Sequence, residues 1–203
     1  MAKPITQRVV PKDAPSRAGR SGGWRWVATI GGGVIVVVAA TVVLGLGLSA
    51  EGDRRGVTLV AYQGESLLGG RRVDLADVVG QGKPVVLNFF AGLCPPCRAE
   101  MPGFEAAWQR HRDEVIVLGV DIGPFLALGS HDDAKRLLVD LGITYPAAYV
   151  EENVIGRFNV FAMPTTIFYA ADGREVGRQS GILSEAQLEN AIRQLVSLSG
   201  ASG

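Results

Sequence analysis

An almost unbroken run of apolar residues over 84–90 ends in a turn that carries both cysteines of the 203-residue chain. Such a run is typical of a strand that is buried on both faces of a sheet. Cys94 and Cys97 follow it, separated by two prolines, and a helical pattern continues from there to about Arg112. Two thiols at this spacing, where a strand passes into a helix, are typical of a redox-active dithiol. The sequence therefore predicts an α/β fold organised around this turn.

A structural disulfide is the alternative explanation of the two cysteines. The loop that it would close is very short, so the bond would constrain the unfolded chain only slightly. It would also lie within one strand-to-helix turn instead of joining distant parts of the chain. We therefore interpret Cys94 and Cys97 as a catalytic dithiol.

The sequence near the N-terminus predicts a membrane anchor. Residues 26–48 contain no charge and would extend about 34 Å as a helix, which is enough to cross a bilayer. A cleaved signal peptide is the alternative, but it would end in a small-x-small site, and Leu48 makes the sequence at 48–50 a poor one. Residues 1–25 carry six basic residues and one acidic residue, so the positive-inside rule places them in the cytoplasm.

These features divide the chain into four parts. We expect a disordered basic tail at 1–25, a transmembrane anchor at 26–48 in contact with the lipid bilayer, a polar linker at 49–56 and a folded domain at 57–199. Beyond the tail, 14 basic and 19 acidic residues remain, a net charge of −5. The net charge of the whole chain is zero, which gives no indication of nucleic-acid binding.

Strand and helix patterns alternate from residue 57 onward. We expect strands at 57–62, 71–74, 84–90, 115–120, 165–169 and 175–178, and helices at 75–79, 96–112, 132–141, 151–158 and 184–196. Asp172-Gly173 favours a tight hairpin between the last two strands, and Ser184 with Gln187 forms a capping-box pattern at the last helix. This order predicts a mixed sheet in a three-layer α/β arrangement.

The order of these elements, with Met163-Pro164-Thr165-Thr166 leading into the fifth strand, resembles the thioredoxin fold over about residues 57–198. The sequence from 85 to Pro102 is similar to the TlpA/ResA/CcmG-type family of membrane-anchored, extracytoplasmic thiol-disulfide oxidoreductases. The resemblance implies a thioredoxin-like fold, with a mixed central sheet flanked by helices and an N-terminal β-hairpin extension, preceded by one transmembrane helix. It also implies a single-pass protein of the bacterial cell membrane, with a cytoplasmic N-terminus and an extracytoplasmic catalytic domain.

Within this resemblance, Cys94 is expected to be the nucleophile, because it precedes a helix whose positive end favours a thiolate. Cys97 lies in the first turn, and we expect it to be less exposed and to resolve the mixed disulfide. The two prolines between them remove backbone N–H groups that could stabilise the Cys94 thiolate. The absence of these N–H groups argues against a strongly oxidising site.

Glu100 lies three residues after Cys97, on the same side of the helix. In ResA-like proteins the matching glutamate lies near the dithiol and tunes the thiol pKa, so the resemblance assigns thiol pKa tuning and proton transfer to Glu100. A solvated helix carboxylate is the alternative. Asn88 stands where thioredoxin has a buried aspartate, and we expect Glu100 to take over the proton-transfer role of that acid.

The resemblance also implies a cis Met163–Pro164 bond beside the dithiol, with the backbone of Met163 exposed to pair with an extended substrate. A proline at the first residue of an edge strand is the alternative. Leu93 stands where the family usually has tryptophan, which leaves partner preference open. The apolar loop at 124–129 either contacts a partner or is buried against the domain. Pro102 matches the proline that bends the helix in thioredoxins.

Metal handling is the rival function from a different class. Copper-delivering relatives of this fold use Cys-x-x-x-Cys and a histidine, and zinc requires about four ligands. The histidines here are His111, expected to be solvated near a helix end, and His131, expected in a loop or at a helix start. Neither metal binding nor peroxidase chemistry is therefore favoured.

The expected activity is the reduction of disulfides in exported proteins such as apocytochrome c, with electrons from a membrane thiol donor of the DsbD/CcdA type. A thiol oxidase or isomerase, acting in the opposite direction, is the alternative. We expect no cofactor beyond the redox-active Cys94–Cys97 disulfide.

Overall fold

A computed structural model describes residues 54–200, and the side chains of residues 54–198. The predicted tail at 1–25, the anchor at 26–48 and most of the linker at 49–56 lie outside the described residues. Among the described residues, no helix has the length and apolar character needed to cross a membrane.

The described part of the chain contains seven strands and five α-helices. The strands are β1 (Thr58–Gln63), β2 (Arg72–Asp74), β3 (Val85–Phe90), β4 (Ile116–Asp121), β5 (Ala147–Val150), β6 (Thr165–Tyr169) and β7 (Glu175–Ser180). The helices are α1 (Glu65–Leu68), α2 (Leu75–Val79), α3 (Pro95–His111), α4 (His131–Asp140) and α5 (Glu185–Gly200). A 3₁₀ turn, Gly123–Leu126, follows β4.

The strands form one mixed sheet in the order β2-β1-β5-β4-β3-β6-β7. β3, β4 and β5 run parallel, whereas β1 is antiparallel to β5 and β6 is antiparallel to β3. Every residue of β3 is buried, because β4 and β6 pair with its two edges and packed side chains cover both faces. This position explains why every residue of β3 except Asn88 is apolar. The predicted mixed, three-layer arrangement is confirmed.

The core lies on both faces of the sheet, since successive side chains of a strand point to opposite faces. Val86 and Phe90 pack with residues of α3, α4 and α5, in the cluster that also holds both cysteines. Leu87 and Phe89 pack on the other face with residues of α2 and of the segment 154–160. Asn88 therefore faces α3, on the same side of the sheet as the dithiol.

The N-terminal β-hairpin extension is confirmed, with Thr58 opposite Asp74. The short helix α1 lies between its two strands. Gly64 and Gly69 flank α1 with φ of 81° and 91°, in the left-handed region that favours glycine. The other edge of β1 pairs with β5, so the hairpin extends the sheet.

The predicted helix at 151–158 is wrong, since this segment forms bends and turns. Its buried residues Val154 and Phe158 have helical spacing, which explains the prediction. However, the Asn153 side chain accepts the Ile155 N–H at 3.0 Å, a local bond that competes with helix formation. Asn159, with φ of 51°, then turns the chain away from a helical path.

The strand β5 was not predicted. Its sequence is Ala-Ala-Tyr-Val directly after Pro146, and alanine has a low preference for strands. Three of its four residues are buried, and β1 and β4 pair with its two edges. Tertiary pairing therefore forms this strand where local preference is weak.

The C-terminal elements are close to their predicted positions. The hairpin of β6 and β7 turns through 170–174, with Gly173 donating its N–H to the Ala170 carbonyl at 2.9 Å. At the start of α5, Gln187 Oε1 accepts the Ser184 N–H at 3.0 Å, as the capping-box pattern predicts.

Candidate active site

The dithiol lies where β3 ends and α3 begins. Cys94 is the N-cap of α3, and its Sγ accepts the Cys97 N–H at 3.3 Å. The two sulfur atoms are joined in a disulfide of 2.09 Å. Cys94 is 3% exposed and Cys97 is fully buried, so Cys94 is the sulfur closer to solvent.

The two prolines limit the hydrogen bonds available to Cys94. They occupy the first two positions of α3 and have no N–H to donate. Cys97 is the third residue of the helix, and its N–H is therefore the earliest amide of α3 that can bind the Cys94 sulfur. The positive end of the helix still favours a thiolate at Cys94. However, of the first three residues of α3, only Cys97 has an N–H group that can donate a hydrogen bond to it.

The turn before Cys94 is held by the region between β4 and α4. The Leu93 N–H donates to the Leu128 carbonyl at 2.8 Å. A Cβ atom at Gly92 would lie 2.4 Å from the backbone nitrogen of Ala134, so α4 packs directly against this turn. Glycine is thus required at position 92. Sequence reasoning missed this requirement, although a glycine two residues before the nucleophile was a visible signal.

The apolar loop at 124–129 is partly buried against the domain. Leu128 packs beside the cluster that includes both cysteines, and Phe125 and Leu126 pack against the cluster on the other face of the sheet. These contacts favour the burial interpretation of the loop.

Glu100 lies in α3, one turn after Cys97, and is buried, with 4% of its surface exposed. Its Oε1 accepts a hydrogen bond from Asn88 Nδ2 at 2.8 Å, and its Oε2 accepts the Leu183 N–H at 2.9 Å. Burial raises the pKa of Glu100 from 4.5 to about 7, although both hydrogen bonds act in the opposite direction. The solvated-carboxylate alternative is therefore wrong. A carboxyl group that titrates near neutral pH can both accept and donate a proton there.

Asn88 links Glu100 to the neighbouring strand. Its Nδ2 also donates to Thr166 Oγ1 at 3.1 Å, whereas its buried Oδ1 has no hydrogen-bond partner among the described residues. The network thus joins β3, α3, β6 and Leu183 in the loop before α5. Sequence reasoning found Asn88 and Glu100 but missed Thr166 and Leu183, because their roles depend on chain segments far apart in the sequence.

The Met163–Pro164 peptide bond is cis, as predicted. Phe89 lies opposite Thr165 in the antiparallel pair of β3 and β6, which places Pro164 at the end of the sheet where the dithiol turn begins. Met163 is half-buried and packs against the cluster that contains both cysteines. The edge-strand alternative is wrong, because β6 pairs with β3 on one side and β7 on the other. Within the described residues, neither backbone group of Met163 has a backbone partner.

The two histidines lie in hydrogen-bonded pairs. His111 is the last residue of α3 and is mostly buried, with its Nε2 2.8 Å from Glu189 Oε1, so the expectation that it is solvated is wrong. His131 is the first residue of α4, and its Nδ1 lies 2.8 Å from the buried Asp121 Oδ2. Tyr62 also donates to that oxygen, at 2.8 Å. No group of three or more His, Cys, Asp or Glu side chains suited to a metal ion occurs in the part of the chain that the structure describes.

Comparisons with known proteins agree with this geometry. The sequence model of the thioredoxin-like domain family matches residues 72–195. The thiol-disulfide oxidoreductase ResA of Bacillus anthracis is 28% identical over 129 residues, which cover 63% of this chain and 71% of ResA. The thioredoxin-like protein YneN of Bacillus subtilis is 28% identical over 126 residues, which cover 62% of this chain and 71% of YneN.

Solved structures show the same fold. A secreted disulfide oxidoreductase of Mycobacterium tuberculosis superposes with a TM-score of 0.53 at 23% identity, covering 68% of this chain and 94% of that one. A thiol:disulfide interchange protein of Chlorobium tepidum superposes with a TM-score of 0.54 at 23% identity, covering 70% and 97%. Since the family match spans more than half of the chain and includes the Cys94–Cys97 disulfide at the start of α3, the chain belongs to the thioredoxin-like domain family and is a thiol-disulfide oxidoreductase, similar in sequence to ResA.

Proposed function

We propose that the Cys94–Cys97 dithiol reduces disulfides in exported proteins, of which apocytochrome c is one candidate. The observation that carries this proposal is the single first-turn amide, from Cys97, that reaches Cys94 Sγ. A dithiol becomes a strong oxidant when its reduced form is stabilised. A Cys94 thiolate with one such amide receives little stabilisation, which favours an ordinary reducing potential.

The reaction transfers two electrons from the dithiol to the substrate disulfide. The Cys94 thiolate attacks one substrate sulfur, the substrate S–S bond breaks, and the first substrate thiolate leaves and takes up a proton. Cys97 then loses its proton and attacks Cys94 Sγ, which breaks the mixed disulfide and releases the second substrate thiolate. The enzyme is left with the Cys94–Cys97 disulfide.

Glu100 is the proposed acceptor of the Cys97 proton. It lies one helical turn after Cys97, is buried, and has a pKa of about 7. Near neutral pH its carboxylate form can take the proton as Cys97 becomes a nucleophile, and its acid form can return the proton when the dithiol is regenerated. This exchange requires no cofactor beyond the cysteines.

The substrate is proposed to bind as an extended strand beside the cis Met163–Pro164 bond. The backbone groups of Met163 have no backbone partner among the described residues, and they lie in a half-buried position at the dithiol end of the sheet. A substrate backbone that pairs with Met163 would place its sulfur over Cys94.

The anchor and electron source complete the proposal. The uncharged run at 26–48 holds the protein in the bacterial cell membrane, with residues 1–25 in the cytoplasm and the catalytic domain outside. The oxidised dithiol must be reduced again, and a membrane thiol donor of the DsbD/CcdA type would bring the two electrons across the bilayer.

The test is the equilibrium reduction potential of the full-length protein in detergent, titrated in dithiothreitol and glutathione buffers. Reducing dithiols such as thioredoxin lie near about −270 mV, and strongly oxidising ones lie near about −120 mV. A value near the first supports a reductase. A value near the second overturns it and makes the protein a disulfide donor.

A further inference from the structure

A buried tyrosine in the core carries a hydroxyl group that packing does not explain. Tyr145 is fully buried, and its hydroxyl oxygen has no hydrogen-bond partner among the described residues. Burial of a hydroxyl group without a hydrogen bond costs free energy, and a phenylalanine would fill nearly the same space without that cost. The hydroxyl group of Tyr145 therefore requires an explanation beyond the shape of the core.

The contacts of Tyr145 fix its ring beside Asn88. The Tyr145 N–H donates to Glu105 Oε2 at 3.3 Å, and its carbonyl accepts a hydrogen bond from Gln63 Nε2 at 2.7 Å. A Cβ atom at Gly119 would lie 3.1 Å from Tyr145 Cε2, so the ring covers Gly119 of β4. Gly119 lies next to Asn88 in the parallel pair of β3 and β4. The ring is therefore on the α3 face of the sheet, in the cluster that contains both cysteines.

Asn88 carries a second buried polar atom without a partner. Its Nδ2 donates to Glu100 Oε1 and to Thr166 Oγ1, which uses both of its hydrogens. Its Oδ1, an acceptor, has no partner among the described residues, and neither has the Tyr145 hydroxyl, which can donate. These two groups do not bond to each other directly. One water molecule satisfies both, because it accepts a hydrogen bond from Tyr145 and donates one to Asn88.

Glu100 can accept the second hydrogen of such a water. Burial raises the pKa of Tyr145 above its ordinary value, and the nearby charges of Glu100 and Glu105 raise it further, so the hydroxyl keeps its proton and can donate. Each oxygen of Glu100 accepts one hydrogen bond in the structure. A carboxylate oxygen has two lone pairs, so an acceptor position remains on Glu100.

We propose that the Tyr145 hydroxyl and Asn88 Oδ1 hold one water molecule against Glu100, and that this water favours the ionised form of the carboxyl group. This inference rests on the proposed role of Glu100 as the acceptor of the Cys97 proton. Ionised Glu100 is the form that takes this proton, so the water extends the transfer to lower pH. The water itself neither gains nor loses a proton in the step. Tyr145 is thus a positioning residue that acts on Glu100 through the water.

The other polar and charged groups that face α3 either do not titrate or already have partners. Asn88 of β3 and Thr166 of β6 do not titrate. Glu105 accepts hydrogen bonds from the Thr144 N–H at 2.7 Å and from the Thr144 hydroxyl at 2.6 Å. The charged groups that join α3 to the neighbouring helices lie in ion pairs: Arg98 with Asp140 on α4, and Arg110 and His111 with Glu189 on α5, where Glu185 also pairs with Arg110.

The reaction with dithiobis(nitrobenzoic acid) tests the proposal, because it separates the two thiol steps. The full-length protein in detergent is reduced, freed of reductant and mixed with the reagent. Attack by Cys94 releases one coloured thiolate, and attack by Cys97 on the mixed disulfide then releases the second. The second release is unimolecular, so its rate does not depend on the reagent concentration. This rate is measured from about pH 5 to about pH 9 for the natural protein, Tyr145→Phe, Glu100→Gln and the double variant.

Removal of the hydroxyl group should shift the part of the profile that depends on Glu100. We expect its midpoint to rise by about one pH unit in Tyr145→Phe, because a hydrogen bond to a charged group is worth about one pKa unit or more. The second release should then be roughly tenfold slower at the acidic end and nearly unchanged at the basic end. In the Glu100→Gln background, Tyr145→Phe should change nothing further.

Tyr169→Phe is the matched control. Tyr169 is also buried, but its ring lies 4.9 Å from the Arg54 guanidinium and opposite Val85, at the end of the sheet away from the dithiol. Its substitution should leave the profile of the second release unchanged.

A crystal structure of the full-length natural protein gives a readout that does not depend on activity. We expect an ordered water within hydrogen-bond distance of the Tyr145 hydroxyl, Asn88 Oδ1 and one oxygen of Glu100. No water there in a map that shows other buried waters, or a Tyr145→Phe profile equal to the natural one, would overturn the water site and leave the role of Glu100 standing. A Glu100→Gln profile equal to the natural one would instead overturn proton transfer by Glu100, and the role of Tyr145 with it.

Discussion

Replacing the buried carboxyl group by Glu100→Gln should change how the stability of the oxidised protein depends on pH. The pKa of Glu100 is raised by burial from 4.5 to about 7. The native state therefore binds a proton more tightly than the unfolded state, and the free energy of unfolding falls as pH rises from about 4.5 to about 7. The difference between the two pKa values corresponds to about 3 kcal/mol. This loss is complete above about pH 7 and absent well below pH 4.5.

The glutamine side chain keeps the shape but cannot titrate. Its carbonyl still accepts one of the two hydrogen bonds, from Asn88 or from the Leu183 N–H, while its amide group faces the other donor. This mismatch costs about 1–3 kcal/mol at every pH. Glu100→Gln should therefore be less stable than the natural protein at pH 5. Between pH 5 and pH 8 the natural protein should lose about 3 kcal/mol of unfolding free energy that the variant keeps. The stability difference between the two proteins should therefore shift by this amount in favour of the variant.

Urea unfolding of the two oxidised proteins at pH 5 and pH 8 measures this shift. Glu105→Gln is the matched control on the same helix. Partial burial acts to raise the pKa of Glu105, but hydrogen bonds from Thr144 outweigh it and hold that pKa below its ordinary value. The control should thus lose the same free energy at both pH values. If Glu100→Gln also differed from the natural protein by a constant amount, Glu100 would remain ionised throughout and the proton-transfer argument would fail.

Two further predictions concern the dithiol turn. Gly92→Ala should lower the free energy of unfolding by about 1–3 kcal/mol in urea melts, because the added Cβ would meet the Ala134 nitrogen at 2.4 Å. Gly156→Ala, whose Cβ would meet nothing within 4 Å, should cost far less, and equal losses would contradict the packing argument. Cys97→Ser should accumulate a mixed disulfide between Cys94 and a peptide substrate, visible by mass spectrometry, because the resolving thiol is gone. Cys94→Ser should form none, and an adduct on Cys97 instead would reverse the assigned roles.

The parts of the fold that could be predicted from the sequence are those with local signals. The buried strand before Cys94, the Asp172-Gly173 turn and the capping box at Ser184 each depend on residues a few positions apart. β5 and the segment 151–160 depend on their surroundings instead. Strand β5 forms because β1 and β4 pair with its edges. The segment 151–160 does not form a helix, because the Asn153 side chain accepts the Ile155 N–H.

The candidate site likewise contains features with a local sequence signal and features that depend on residues far apart in the sequence. The spacing of Cys94 and Cys97 identified the dithiol, and the cis bond at Pro164 was expected from the resemblance. The environment of Glu100 could not be predicted, because one of its hydrogen-bond donors, Leu183, lies 83 positions further along the chain. The cluster of Asp121, Tyr62 and His131 was also missed, since its members come from three separate elements.

The contact between Asn88 and Glu100 explains why an amide and an acid occur together in this core. Two facing carboxyl groups at 2.8 Å could not both ionise, whereas the Asn88 amide donates a hydrogen bond to the carboxyl group. Burial alone would raise the pKa of Glu100 further and leave it protonated at neutral pH. The two donors, the Leu183 N–H and the Asn88 amide, lower that pKa to about 7. Asn88 therefore keeps the Glu100 carboxyl group in the range where it can both accept and return a proton, as the proposed exchange with Cys97 requires.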